Sequence, residues 1–255
     1  MPTSRTARNT PPPYVVWRKQ LALGTQLLLG LLQTPFYGSP FAPRGIHAVR
    51  HWHRKACRAL AVEVKTHGEA QPGVLYICNH ISWLDIPVLG SQLPGVRFLS
   101  KSEVRTWPLI GWLATRAGSL FIQRGQAQDT VPQIATALKQ GHSILIFPEG
   151  TTTNGLSLRR FHPRLLQAAY AANAAIQPIA LRYLDAHGTP NPRVAYIDDD
   201  SFNDTLQRIV QESGLCAELH FLPVIHPEDT PRSQLANTAH ARIAEALPHV
   251  SLPQK

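Results

Sequence analysis

From residue 74 onward, short runs rich in β-branched and apolar residues alternate with longer stretches of mixed polarity, the pattern of an α/β sheet. The runs predict strands at Val74–Cys78, Val96–Ser100, Ser119–Ile122, Ser143–Phe147, Ile176–Leu184, Val194–Ile197 and Glu218–Val224. One intervening helix is well signalled. Asp129 or Thr130 can cap it, Ile134 and Leu138 share a face four residues apart, and Gly141 can close it. A second helix is expected to follow Pro231 and run to about Leu247.

The N-terminal quarter reads differently. Residues 1–13 are polar and end in Pro11, Pro12 and Pro13, which predicts a disordered leader. No charge occurs from Gln20 to Pro43, yet only Leu21–Leu32 is densely apolar, and Pro35 and Pro40 interrupt the remainder of that stretch. A spanning helix needs about 20 apolar residues, so a helix that dips into one leaflet fits better, with a cleaved signal peptide or a buried helix as alternatives. The expected division is a leader over 1–13, a membrane-associating helical segment over 14–60 and a catalytic domain over 61–255.

Charge sharpens this picture. The chain carries a formal +9, and residues 1–60 hold nine Lys or Arg and no acid, leaving 16 basic residues to balance all 16 acids of the rest. Basic residues that flank an apolar run suit an anionic membrane surface at the cytoplasmic face of the inner or plasma membrane. A nucleic-acid partner is not expected, because no recognisable binding motif accompanies the charge. Cys57, Cys78 and Cys216 form neither a CxxC pattern nor a disulfide framework, which suits a reducing compartment. His47, His51 and His53 sit in a segment without an acid to complete a ligand set, so no metal site is expected there.

Two segments carry candidate chemistry, each directly after a predicted strand. In Asn79-His80-Ile81-Ser82-Trp83-Leu84-Asp85 a turn can bring the Asp85 carboxylate back onto the His80 imidazole, which would leave the other ring nitrogen free to take a proton. The bland alternative is a surface histidine beside a helix-capping aspartate. In Phe147-Pro148-Glu149-Gly150-Thr151, Gly150 allows close approach of backbone to a ligand and Thr151 offers a hydroxyl, although a polar turn reads equally well. Loops beyond the carboxyl ends of strands share one cleft in open α/β sheets, so the two segments can face each other.

Together the two segments resemble the glycerolipid acyltransferase family, typified by lysophosphatidic acid acyltransferases. Gly118-Ser119-Leu120-Phe121-Ile122-Gln123-Arg124 and Ile176-Gln177-Pro178-Ile179-Ala180-Leu181 are similar to that family's second and fourth blocks, and the resemblance covers roughly residues 45 to 247. Lys101 and Pro108-Leu109-Ile110-Gly111 also fall where the family has a Lys and a Pro-x-x-Gly segment. The resemblance implies a single domain with a mixed central β-sheet flanked by helices. It implies transfer of a fatty acyl group from acyl-CoA or acyl carrier protein to a lysolipid hydroxyl, without a cofactor. His80 is then the general base and Asp85 orients it, while Arg124, Glu149, Gly150, Thr151 and Lys101 hold substrate. The leading acceptor on this reading is 1-acyl-sn-glycerol-3-phosphate.

The sequence departs from the family where many members carry Arg after Glu-Gly-Thr, for Thr152 stands here. Phe161-His162-Pro163-Arg164 likewise differs from the usual Phe-Lys-x-Gly. Both departures resemble the branch that acylates lyso-ornithine lipids, whose head group bears no phosphate. A non-catalytic lipid-binding protein and a thioesterase are readings from other classes. The presence of both His80 and Asp85 argues against the first, and an assay offering water and lysolipid together separates the second.

Overall fold

A computed structural model describes residues 11–123 and 127–250 of the 255-residue chain. Its strands are β1 (Glu63–His67), β2 (Leu75–Cys78), β3 (Arg97–Lys101), β4 (Leu120–Ile122), β5 (Ile144–Ile146), β6 (Ile176–Leu184) and β7 (Cys216–Phe221), in one sheet of order β1-β7-β6-β2-β5-β3-β4. β6 and β7 pair antiparallel and every other neighbouring pair is parallel, so the sheet is mixed. The helices are α1 (Pro13–Gln33), α2 (Pro43–Ala59), α3 (Asp85–Gln92), α4 (Ile110–Arg116), α5 (Ala127–Lys139), α6 (Gln167–Ala172), α7 (Phe202–Val210) and α8 (Arg232–Ala246).

Alternation along the central strands builds two cores. Tyr76 and Cys78 of β2 face one cluster with Cys57 of α2, Val88 of α3 and Ile209 of α7, whereas Leu75 and Ile77 face another with Ile134 of α5, Ala168 of α6 and Ile243 of α8. Burial on both faces is why β2, β5 and β6 read as continuous apolar runs. The α5 terminus follows its sequence signal: Gly141 N–H bonds Leu138 O and His142 N–H bonds Ala137 O, a Schellman closure. Its start does not, because α5 begins at Ala127 and holds Asp129 inside its first turn.

Two further expectations change. Val194–Ile197 is no strand: Pro192–Val194 forms a 3-10 turn and Ala195 leaves it extended, with Arg208 of α7 bonding the Arg193 and Ala195 carbonyls. Conversely β1 was not legible, since four of its five residues are exposed at the sheet edge and show no apolar alternation. The leader expectation over 1–13 falls mostly outside the described residues, and α1 already starts at Pro13.

α1 lies against the domain. Lys19 Nζ donates to Glu212 O at 2.7 Å, Trp52 Nε1 of α2 donates to Gln26 O at 2.8 Å, and Arg116 of α4 reaches Thr34 O at 3.2 Å. Its outer face keeps Tyr14, Trp17, Leu21, Leu28 and Leu32 exposed at helical spacing. Among the described residues no helix is long and apolar enough to cross a membrane.

Candidate functional site

β2, β5, β3 and β4 run parallel, so their carboxyl ends share one edge of the sheet, and the segments after β2 and β5 meet there. Asn79 fixes the first segment: its Nδ2 donates to Leu181 O at 2.9 Å and its Oδ1 accepts from Leu181 N at 2.8 Å, tying the end of β2 to β6. The chain then turns, and Asp85 opens α3 with its carboxylate fully buried.

That carboxylate gathers four donors. Oδ2 accepts from His80 Nδ1 at 2.7 Å, Ile81 N at 2.8 Å and Ser82 N at 3.1 Å, and Oδ1 accepts from the Tyr183 hydroxyl at 2.9 Å. A proton held on Nδ1 by Asp85 leaves Nε2 as the basic nitrogen of His80. The imidazole is 22% exposed and stacks on Phe147, with centroids 3.9 Å and planes 11° apart. One face of the ring is thereby shielded while part of the side chain reaches the surface.

Glu149 binds the second segment to the first. Its Oε1 accepts from His80 N and its Oε2 from Arg159 N, both at 2.8 Å, and Thr153 N donates to His80 O at 2.8 Å. Burial raises the Glu149 carboxyl to about 7, against the opposing pull of the Arg159 and His80 amides. Gly150, at φ 71°, and Thr151 bridge Glu149 to these anchors, and Thr152 donates its hydroxyl to Tyr196 O. Thr152 is thus committed to backbone.

The structure brings His80, Asp85, Glu149, Gly150 and Thr151 together. Lys101 ends β3 at the same edge, exposed. Arg124 lies outside the described residues. Sequence reasoning missed Tyr183 and the Arg159 amide, which nothing in the local pattern marks. It also missed the Phe147 stack, although an aromatic directly after an apolar strand is a signal for it. Cys78 is no nucleophile, since burial and the charges of Asp85 and Glu149 push its thiol well upward.

Comparison with known proteins bears on this geometry. The Acyltransferase family matches residues 59–182, from the end of α2 through most of β6. A lyso-ornithine lipid O-acyltransferase of Pseudomonas aeruginosa is 39% identical over 246 residues, covering 90% of this chain and 94% of that protein. The chain belongs to the acyltransferase family. A 1-acyl-sn-glycerol-3-phosphate acyltransferase of Neisseria gonorrhoeae is 36% identical over 155 residues, covering 60% of each chain. The crystal structure of the 1-acyl-sn-glycerophosphate acyltransferase PlsC of Thermotoga maritima shares the fold at a TM-score of 0.71 and 14% identity, covering 92% of this chain and 94% of that one. The expected mixed sheet with flanking helices is therefore the fold of this acyltransferase, and the matched segment contains both His80 and Glu149.

Proposed function

We propose that this acyltransferase esterifies the free hydroxyl of a lysolipid with a fatty acyl group from a thioester, and that the acceptor is a lyso-ornithine lipid. The observation that carries the chemistry is the His80–Asp85 pair, 2.7 Å apart, with the imidazole still partly exposed. His80 Nε2 takes the proton of the acceptor hydroxyl as its oxygen attacks the thioester carbonyl carbon. The tetrahedral oxyanion then collapses, the carbon–sulfur bond breaks, and the imidazolium returns its proton to the leaving thiolate. The products are an ester and a free thiol, and no enzyme nucleophile is needed.

The choice of acceptor rests on Thr152. Arg at that position would offer a bidentate phosphate contact, whereas the Thr152 hydroxyl is spent on the Tyr196 carbonyl. The near full-length likeness to a lyso-ornithine lipid enzyme supports the same choice. Lys101, Gly150 and Thr151 are assigned to holding substrate at this end of the sheet and Glu149 to fixing the loop that does so, while Arg124 is assigned to the acceptor on the family resemblance alone. The exposed stripe of α1 and the nine basic residues of the first 60 hold the enzyme on an anionic membrane surface, where the lysolipid resides.

The test offers acyl-CoA and acyl carrier protein thioesters with lyso-ornithine lipid, lysophosphatidic acid and water alone, with products identified by mass. Ornithine lipid should dominate. Preferred formation of phosphatidic acid would overturn the acceptor assignment, and free fatty acid as the main product would overturn acyl transfer to a hydroxyl.

A further inference from the structure

The far edge of the sheet carries a second group of side chains that acyl transfer does not use. β1 and β7 pair in parallel with His67 directly opposite His220. Side chains alternate along a strand, so Glu218, two residues before His220, stands on the same face. One ligand atom from each of His67, Glu218 and His220 lies within 4.8 Å of the other two. The two imidazoles stack with centroids 4.5 Å and planes 15° apart. His220 Nε2 is buried without a hydrogen-bond partner, 3.8 Å from Glu218 Oε2. A buried nitrogen left unpaired beside a carboxylate calls for an explanation, and a missing ion is one.

We propose that His67, Glu218 and His220 bind a divalent transition-metal ion of the zinc type. Two imidazoles and one carboxylate are a borderline donor set, suited to Zn²⁺ and poorly suited to Mg²⁺ or Ca²⁺, which prefer oxygen alone. Arg182, opposite Glu218 in the β6–β7 pair, holds Oε2 through Nε at 2.8 Å and Nη2 at 2.6 Å, which orients the carboxylate beside His220. Tetrahedral Zn²⁺ draws its ligand atoms to roughly 3.4 Å from one another, so the exposed His67 ring would move inward on binding. The fourth position falls to water.

Such an ion would join β1, the exposed edge strand, to β7. β7 runs antiparallel to β6 and β1 parallels β7, so the carboxyl ends of β1 and β7 lie at the end of the sheet opposite His80. The ion is therefore a staple on an edge strand, remote from the reaction. No local pattern could reveal it, because Glu218 is 151 positions from His67.

The test is calorimetric titration of tag-free, full-length protein in detergent with Zn²⁺, and with Mg²⁺ as control, followed by thermal melts. Wild type should bind one Zn²⁺, ignore Mg²⁺ and melt at higher temperature with Zn²⁺. His67→Ala, Glu218→Gln and His220→Ala should each weaken binding by about tenfold or more. His47 and His51, whose rings stack on α2, form the competing chelate, so the His47→Gln/His51→Gln protein should still bind. His67→Ala changes an exposed side chain, so the fold survives and the rate of acyl transfer should be unchanged. Absence of Zn²⁺ binding, or binding that follows His47 and His51, would overturn the site whatever the acyltransferase assay shows.

Discussion

Asp85 can orient His80 because its buried carboxylate takes four hydrogen bonds, three on one oxygen from the imidazole itself and the Ile81 and Ser82 amides, and one on the other. Tyr183 supplies the fourth from β6. Tyr183→Phe removes one hydrogen bond to a charged group, about 1.5–3 kcal/mol, and should lower both Tm and turnover without abolishing either. Unchanged turnover in the folded variant would deny Tyr183 a positioning part. Glu149 makes a sharper case, since both its oxygens accept backbone amides. In Glu149→Gln one acceptor becomes a donor that faces an N–H, leaving a buried amide unpaired at about 1–3 kcal/mol. A clear fall in Tm is expected, together with slower turnover because the His80 backbone is released. The sign of its pH linkage is set by a folded pKa near 7 against an ordinary 4.5. The folded protein keeps a proton that the unfolded chain has lost, so the stability this group contributes is full below pH 4.5 and is lost as pH rises to about 7. Melts across that window should show a smaller loss in Glu149→Gln, and an equal loss would contradict it.

At the scale of elements, α2 packs on α3 through a buried histidine. A Cβ on Gly90 would lie 2.5 Å from the His53 ring, so only glycine admits this approach, and His53 Nδ1 has no hydrogen-bond partner. Burial lowers the His53 pKa from 6.5 to about 4. The unfolded chain takes a proton that the folded chain refuses, so this contribution, about 3 kcal/mol, is intact above pH 6.5 and is lost as pH falls to about 4. His53→Leu should flatten the acid side of the Tm profile over that window, and an unaltered slope would refute the linkage. In the sequence His53 is only one of three closely spaced histidines with no acid beside them, and in the fold it is core. Legibility followed burial elsewhere too. β2, β5 and β6 were readable because both faces are apolar, and α8 because Pro231 marks its start. β1 was hidden because a strand on the sheet edge needs little apolar alternation. Val194–Ile197 misled because its apolar residues pack a turn under α7, where Val194 and Ala195 are buried.

For the whole molecule, the candidate site was legible as two segments, 64 residues apart between Asp85 and Glu149, but their mutual hydrogen bonds were not. Long-range partners such as Tyr183 leave no trace in local spacing. The N-terminal segment is likewise a partial match. Its apolar run forms a helix as expected, yet Lys19 and Leu23 are buried against the domain, so removing α1 would expose core as well as remove an anchor. The cleaner test of membrane binding changes the outward stripe alone. Trp17→Ser/Leu21→Ser/Leu28→Ser should cut flotation with anionic vesicles at high salt while leaving Tm nearly unchanged, and full flotation would move the membrane contact elsewhere.

The central claim is that His80 Nε2 takes the proton of the acceptor hydroxyl. Initial rates of ester formation by wild type, His80→Ala and Asp85→Asn, each checked for an intact fold by its melting curve, test it most directly. Loss of a general base should slow His80→Ala by about 10²- to 10⁴-fold, with Asp85→Asn also slowed because the imidazole loses its oriented tautomer. A folded His80→Ala protein that forms ester at a rate near wild type would contradict the account.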